Sequence, residues 1–122
     1  TVFLEPLNRY QDHMINTLAA ARSIIEEGQF QNVKLIADAY HMNIDEDNMF
    51  QSLIDNKELV KHIHIAENHR FQPGTGSMDF KKLFKTLKDI NYDGYVVYEC
   101  RIRGENPEEE YQKSLEYLRS CE

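Results

Sequence analysis

The chain has 122 residues, of which 41% are hydrophobic and 29% are charged. This length and composition are typical of one globular domain and exclude a disordered or collagenous protein. With 14 Lys and Arg against 21 Asp and Glu, the net charge is −7, and no apolar run approaches the ~20 residues that a membrane-spanning helix needs. We therefore expect neither a nucleic acid nor a membrane as partner, because their negative surfaces attract basic proteins.

The first half of the chain repeats one pattern, a short β-rich run followed by an amphipathic helix. Residues 1–4 predict a strand, and apolar residues at helical spacing within residues 12–27 predict a helix that ends at Gly28. Residues 33–37 predict a second strand. Asp45 is a candidate N-cap for the next helix, whose apolar side is formed by Met49, Phe50, Leu53 and Ile54.

The second half of the chain repeats this pattern twice more. Residues 62–66 predict a third strand, and the glycine-rich residues 73–76 favour a simple turn over a phosphate-binding loop. The helix that follows presents Phe80, Leu83, Phe84, Leu87 and Ile90 on one side. Residues 95–99 predict a fourth strand, and Asn106 with Pro107 begins a last helix striped by Tyr111, Leu115 and Leu118.

Four consecutive strand–helix units predict an α/β fold with parallel strands joined by right-handed crossovers. Two architectures use such a repeat, a doubly wound open sheet and a (β/α)8 barrel, and the barrel typically takes about 250 residues. As part of a barrel, this chain would form one half. We therefore expect residues 1–122 to be a single domain or a half-domain.

One metal-ligating side chain lies at or just past the C-terminal end of each predicted strand: Glu5, Asp38, His64 and Glu99. Because the carboxyl ends of parallel strands form one functional face, we expect these four groups to converge there. The alternative is that each is a solvated charge at the start of a loop, which is usual for a single Asp or Glu. The same placement in four successive units favours a site.

Three carboxylates and one imidazole around a point suit a hard or borderline divalent cation. The ion that we expect first is Mn²⁺, with Mg²⁺ and Co²⁺ as alternatives, rather than a thiolate-ligated zinc. Without a cation these carboxylates would repel one another at close range.

Five short segments together resemble one known group of enzymes. They are LEPLNRY (4–10), DAYHMN (38–43), HIAENHR (64–70), PGTG (73–76) and YDGYVVYE (92–99). In their order and spacing they resemble the xylose-isomerase-like barrel superfamily, and within it the ketose 3-epimerases of the tagatose/psicose type. The resemblance covers nearly the whole chain and implies the C-terminal half of a (β/α)8 TIM barrel, strands five to eight.

The resemblance implies a metal-dependent sugar epimerase that inverts a carbon next to the ketone of a ketose or a derivative. It makes Glu5, Asp38, His64 and Glu99 the metal ligands. Glu5 and Glu99 would also be the proton-transfer pair, because inversion needs a base on one face of the carbon and an acid on the other. The metal would stabilise the intermediate enediolate.

Three further residues are assigned to the substrate by the same resemblance. His41 and Arg70 would touch oxygens of the sugar, although His41 could equally hold the carboxylate of Asp38. Gln11 stands six residues after Glu5, where these epimerases tend to carry a glutamate. A neutral amide there implies that the sugar differs from the free ketohexoses.

Other functions stay open at this level. An aldose–ketose isomerase of the same superfamily would use a similar metal and similar carboxylates. A metallophosphodiesterase resembling the endonuclease branch is disfavoured by the net charge. The length keeps a non-catalytic half-barrel fragment as a further alternative. Apart from a small-molecule sugar, we expect as partner either a second copy or the missing N-terminal half. Cys100 and Cys121 lack a CxxC spacing, which favours a cytoplasmic location.

Overall fold

A four-stranded parallel sheet organises the chain. The computed structural model describes residues 1–122. The strands lie side by side in the order β1 (Val2–Leu4), β2 (Val33–Asp38), β3 (Val60–Ile65) and β4 (Tyr95–Tyr98). The connections between them and the last segment contain five helices: α1 (Leu18–Glu27), α2 (Ala39–Asp45), α3 (Met49–Asp55), α4 (Phe80–Asp89) and α5 (Pro107–Cys121). This architecture is half of a (β/α)8 barrel, and the predicted fold class is confirmed.

Each helix begins at a side chain that accepts a hydrogen bond from the backbone of the first turn. Such a cap satisfies a donor that has no partner within the helix. The five capping residues, in chain order, are Thr17, Asp38, Asn48, Asp79 and Asn106. In α5, Pro107 occupies the first turn, where its missing N–H costs nothing.

Two helix starts differ from the predictions. The first helix begins at Leu18 rather than near residue 12, because Thr17 is extended (φ −130°, ψ 157°) and caps it. Residues 12–16 form a loop instead, in which Met14 is 79% exposed. Asp45 does not cap a helix: it is the last residue of α2, an extra helix that the periodicity did not reveal, and it pairs with Arg9 at 2.8 Å.

The two faces of the sheet differ in burial. Side chains that point towards the helices are almost fully buried: Leu35, Ala37, Ile63 and Ile65. They form one core with the apolar sides of the helices, including Leu18, Leu53, Phe80 and Leu118. The opposite face carries Phe3 (44% exposed), Tyr95 (78%) and Val97 (38%). That face would line the interior of a closed barrel, where side chains from all the strands pack together.

None of the helices is both long enough and apolar enough to cross a membrane.

Candidate metal centre and substrate cleft

The strand register brings the four predicted metal ligands to one point at the C-terminal edge of the sheet. Asp38 pairs directly with His64 across β2 and β3. Glu5 follows the last residue of β1, and Glu99 follows the last residue of β4 and donates its backbone N–H to the carbonyl of Ile65 at 3.0 Å. One ligand atom from each of the four lies within 4.8 Å of all the others.

The imidazole of His64 lies among the three carboxylates. Its Nδ1 is 3.1 Å from Glu5 Oε1, 3.4 Å from Glu99 Oε2 and 3.9 Å from Asp38 Oδ2. The His64 ring also packs edge-on against His62, with the ring centroids 4.9 Å apart. Three carboxylate oxygens therefore face one nitrogen, an arrangement that concentrates negative charge at a single point.

The two carboxylate oxygens of Asp38 have different surroundings. Oδ1 caps α2, accepting hydrogen bonds from the backbone N–H groups of Tyr40 (2.8 Å) and His41 (3.4 Å). Oδ2 is buried and has no hydrogen-bond partner. An unsatisfied buried oxygen costs about 1–3 kcal/mol, and a cation among these side chains would satisfy it. Together with the oxygen-rich donor set, this oxygen fits a hard or borderline divalent cation.

The pKa of Glu99 lies above its ordinary value. Burial is the largest cause, and the nearby Asp38 carboxylate acts in the same direction. The charges of His64 and Arg70 act in the opposite direction. The cluster is therefore an environment in which an additional negative charge is unfavourable, as expected for three carboxylates in close proximity.

His41 is buried directly behind Asp38. Its Nε2 lies 3.9 Å from Asp38 Oδ2, and its Nδ1 accepts a hydrogen bond from the backbone N–H of Asn8 at 3.0 Å. Burial lowers the pKa of His41, and the nearby charge of Arg70 lowers it further. The ring thus lies beside the Asp38 carboxylate without a hydrogen bond to its free oxygen, and both predicted roles of His41, contact with a substrate and support of Asp38, stay predictions.

Arg70 connects the ligand cluster to a neighbouring cleft of about 350 Å³. Its Nη2 lies 3.4 Å from Glu99 Oε2, and its Nη1 donates to Gln11 Oε1 at 3.3 Å. The guanidinium carbon lies 4.7 Å from the centroid of the Tyr40 ring, in cation–π contact. Both Gln11 and Arg70, two of the predicted substrate residues, therefore line the cleft beside the cluster.

Asn8 and Tyr40 belong to the site although the sequence did not single them out. Asn8 is buried, and its Nδ2 lies 2.9 Å from both His41 Nδ1 and Gln11 Oε1. Tyr40 supports the guanidinium of Arg70. Both lie within the segments that carry the family resemblance, but an Asn in a loop and a Tyr in a helix have no spacing signal of their own.

The glycine-rich loop at residues 73–76 has turn structure, as predicted. The buried carboxylate of Glu67 accepts the backbone N–H groups of Gly74 (2.8 Å) and Met78 (3.0 Å). Asn68 Oδ1 accepts the N–H of Ser77 at 2.9 Å. These donors are therefore directed at side chains of the protein rather than at a common anion site.

Comparison with known proteins places this geometry in a family. Residues 1–121 match the family model of the xylose isomerase-like TIM barrel. The chain is 60% identical over 120 residues to 3-dehydro-D-guloside 4-epimerase of Escherichia coli K12, covering 98% of this chain and 46% of that protein. It is 45% identical over 98 residues to a ketose 3-epimerase of Arthrobacter globiformis, covering 80% of this chain and 34% of that protein.

A solved structure has the same fold. The crystal structure of 3-keto-D-glucoside 4-epimerase from E. coli matches with a TM-score of 0.96 at 60% identity, covering 99% of this chain and 46% of that one. The chain thus spans about half or less of the length of these relatives. On the match over residues 1–121, the chain belongs to the xylose isomerase-like TIM barrel family.

Proposed function

We propose that this chain carries the metal-binding and proton-transfer groups of an epimerase that inverts a carbon next to the ketone of a keto sugar. The observation that carries the proposal is the cluster of Glu5, Asp38, His64 and Glu99, whose ligand atoms lie within 4.8 Å of one another. The similarity to the E. coli 4-epimerases supports a glycoside with its ketone at C3 as the substrate, and C4 as the carbon that is inverted.

In this proposal the four clustered side chains hold a divalent cation. Mn²⁺ is the proposed ion, and the same donors accept Mg²⁺ or Co²⁺. When bound, the ion supplies positive charge beside the ketone oxygen, which makes the neighbouring C–H group more acidic. The cap that Asp38 makes on α2 fixes the direction of its free oxygen, so this ligand is held in place before any ion arrives.

Glu5 and Glu99 are the proposed proton-transfer pair. Inversion requires a proton to leave one face of the carbon and a proton to arrive at the opposite face. Glu5 follows β1 and Glu99 follows β4, and these are the two outer strands of the sheet. The two carboxylates therefore approach the cluster from opposite sides. Arg70 contacts Glu99 at 3.4 Å and positions its carboxylate.

The test measures inversion at C4 of a methyl 3-keto-glucoside, together with exchange of its C4 proton for solvent deuterium, by NMR spectra recorded after Mn²⁺ has been removed from the reaction mixture. The chain is assayed alone and mixed with the N-terminal half of the E. coli relative. We expect Glu5→Gln and Glu99→Gln each to lower inversion by about a hundredfold or more, because each removes one proton-transfer group. Glu58→Gln, an equal change in the exposed turn before β3, serves as the matched control.

Each alternative function predicts a different reaction product. Retained inversion in either Gln variant would contradict the two-carboxylate scheme. An aldose formed from a free ketose would indicate an isomerase, and cleavage of a DNA duplex at an abasic site would indicate a phosphodiesterase. Absence of exchange in both the isolated and the complemented chain would favour a non-catalytic fragment.

We further propose a complementary half-barrel as the protein partner. The chain corresponds to 46% of the E. coli relative, and the apolar residues on the inner face of its sheet are exposed. A cytoplasmic location is proposed on the basis of the two cysteines, which do not form a disulfide.

A further inference from the structure

The loops that follow β3 and β4 stay hydrogen-bonded to each other beyond the end of the sheet. The backbone N–H of Glu99 donates to the carbonyl of Ile65 at 3.0 Å. The N–H of Arg101 donates to the carbonyl of Arg70, also at 3.0 Å. Between these two contacts the chain after β3 has residues 66–69, whereas the chain after β4 has a single residue. The longer loop therefore bulges away from the shorter one and returns to it at Arg70.

Arg70 returns with a backbone conformation that side chains rarely adopt. Its φ is +65°, in the left-handed region, which is uncommon for a residue other than glycine. Its N–H donates to the carbonyl of Glu67 at 2.8 Å, and its carbonyl accepts the N–H of Arg101. Such a conformation persists only where the surrounding structure holds it. The direction in which the Arg70 side chain leaves the backbone therefore depends on the contacts that keep the two loops together.

The buried side chain of Gln72, which is 1% exposed, supplies such a contact. Its Nε2 donates to the carbonyl of Arg103 at 2.8 Å, and its Oε1 accepts the N–H of the same residue at 2.9 Å. Because a backbone N–H only donates and a carbonyl only accepts, the orientation of this amide is fixed. Gln72 and Arg103 each lie two residues beyond the hydrogen bond between Arg70 and Arg101. The amide thus joins the two loops immediately after Arg70.

We propose that Gln72 is a positioning residue, whose two hydrogen bonds to Arg103 hold the guanidinium group of Arg70 beside Glu99. Its consequence for catalysis rests on the proposed function, in which Glu99 transfers a proton. Gln72 belongs neither to the ligand cluster nor to the lining of the cleft, so it acts through the loops. Arg70 Nη2 lies 3.4 Å from Glu99 Oε2, which is long for a hydrogen bond, and a small shift of the Arg70 backbone would break this contact.

A double-mutant cycle tests whether Gln72 acts through Arg70. Gln72→Met fills a similar volume and leaves both backbone groups of Arg103 without partners. In the full chain complemented by the N-terminal half of the E. coli relative, we expect this variant to lower kcat/KM for C4 inversion about tenfold to a hundredfold. In the Arg70→Met background the same substitution should change kcat/KM less than about twofold, because the group that Gln72 positions is already absent. Equal losses in both backgrounds would overturn the proposal.

A second measurement follows the position of Arg70 without turnover. In the ¹⁵N-labelled, Mg²⁺-loaded protein, the side-chain Nε–H signal of Arg70 is identified by its loss in Arg70→Met. We expect Gln72→Met to move this signal to the position of an arginine that is free in solution. Asn56→Ala is the matched control and leaves the signal in place, because it removes another buried amide, whose Nδ2 donates to the carbonyl of Ser52 within α3.

The variant Gln72→Glu keeps the protein testable where Gln72→Met fails to fold. It retains an acceptor for the N–H of Arg103 and loses only the donor to its carbonyl, so it should move the Arg70 signal in the same direction. Absence of inversion in the parent protein would overturn the proposed function, and with it the catalytic consequence of this contact. An Arg70 signal that neither variant of Gln72 moves would overturn the positioning role itself.

Discussion

At the scale of single residues, the site depends on side chains that have two tasks. Asp38 caps a helix with one oxygen and offers the other to the cluster. His41 accepts a hydrogen bond from the backbone of Asn8 and faces Asp38 with its other nitrogen. Because each group has a structural partner on one side, its free atom points in a defined direction before a ligand binds. Such preorganisation lowers the reorganisation that binding requires.

The Asp38→Asn variant separates the two tasks of this residue. An asparagine keeps the carbonyl oxygen that caps α2 and replaces the other oxygen with an NH₂ group, which cannot bind a cation. We expect Mn²⁺ affinity to fall about a hundredfold or more while the stability of the metal-free protein is not lowered. A Mn²⁺ titration followed by electron paramagnetic resonance and thermal unfolding without metal measure the two effects.

The Asp38→Ala variant is the control for this pair of measurements, because it removes the cap as well. It should bind Mn²⁺ as weakly as Asp38→Asn and lose about 1 kcal/mol more of the free energy of unfolding. Mn²⁺ binding by Asp38→Asn at the parent affinity would show that Asp38 is not a ligand.

Two substitutions at His41 test whether its buried ring supports Asn8. Phenylalanine fills the same space but leaves the Asn8 N–H without an acceptor, so we expect His41→Phe to lose about 1–3 kcal/mol of unfolding free energy. Asparagine keeps an acceptor close to the position of Nδ1, and His41→Asn should lose less. Urea unfolding of both variants gives the comparison. Equal losses would mean that packing, rather than this hydrogen bond, determines the stability.

At the scale of elements, short connections set the geometry of the site. The seven-residue helix α2 starts directly at Asp38, without a loop, and turns His41 back towards the cluster. The segment after β3 is tied by Glu67, which accepts N–H groups from Gly74 and Met78. The helices on the outer face of the sheet supply the core, whereas these short segments direct the polar side chains. Loops on a rigid scaffold commonly carry function in this way.

The turn between α4 and β4 provides a pH-dependent test at this scale. Tyr92 donates its hydroxyl hydrogen to the carbonyl of Tyr95 at 2.9 Å, and burial, with a smaller effect of Asp93, raises the pKa of Tyr92 to about 12. The unfolded chain loses this proton near pH 10, so between pH 10 and about 12 the folded state binds more protons. The contribution of the protonated Tyr92 hydroxyl to stability is therefore present below pH 10, and it is lost as the pH rises from 10 to about 12.

We expect Tyr92→Phe to remove part of this alkaline loss of stability. Urea midpoints at about pH 9 and at about pH 11.5 measure the loss in the parent protein and in the variant. The variant should show a smaller difference between the two midpoints. A difference as large as that of the parent protein would assign the alkaline transition to other groups.

At the scale of the whole molecule, the chain has one buried face and one exposed face of its sheet. The exposed inner face carries Phe3, Tyr95 and Val97, and β1 and β4 are open edges. Unpaired edges and apolar surface favour association with further strands. Since the chain spans about half the length of these relatives, the proposed partner would supply four further β/α units.

Mixing experiments test this complement. We expect the chain to form a one-to-one complex with the N-terminal half of the E. coli relative, because pairing of the two halves buries the inner face. Val97→Lys should weaken the complex, since it places a charge inside the closed barrel. Sedimentation velocity measures the association. Ile54→Lys, which changes an exposed apolar residue on α3, is the matched control, and equal weakening by both variants would place the contact elsewhere.

The sequence by itself determined the repeated units and the faces of the strands. Period-two alternation put Asp38 and His64 on one face, and helical periodicity identified α4 through Phe80, Leu83 and Leu87. These patterns are local, because a strand or helix must bury its apolar side whatever its partners are. The placement of one ligand-type side chain at each strand end followed from the same patterns.

Only the tertiary structure decided the contacts between units. The register between β2 and β3 sets the Asp38–His64 pairing, and the fold brings Asn8 against His41, 33 residues away. The apolar periodicity, which continues back to Met14, predicts too early a start for α1. The helix begins at Leu18 instead, because the side chain of Thr17 caps it there. A capping bond, a strand register and a buried hydrogen bond each depend on where a partner lies in space, and periodicity along one chain does not carry that information.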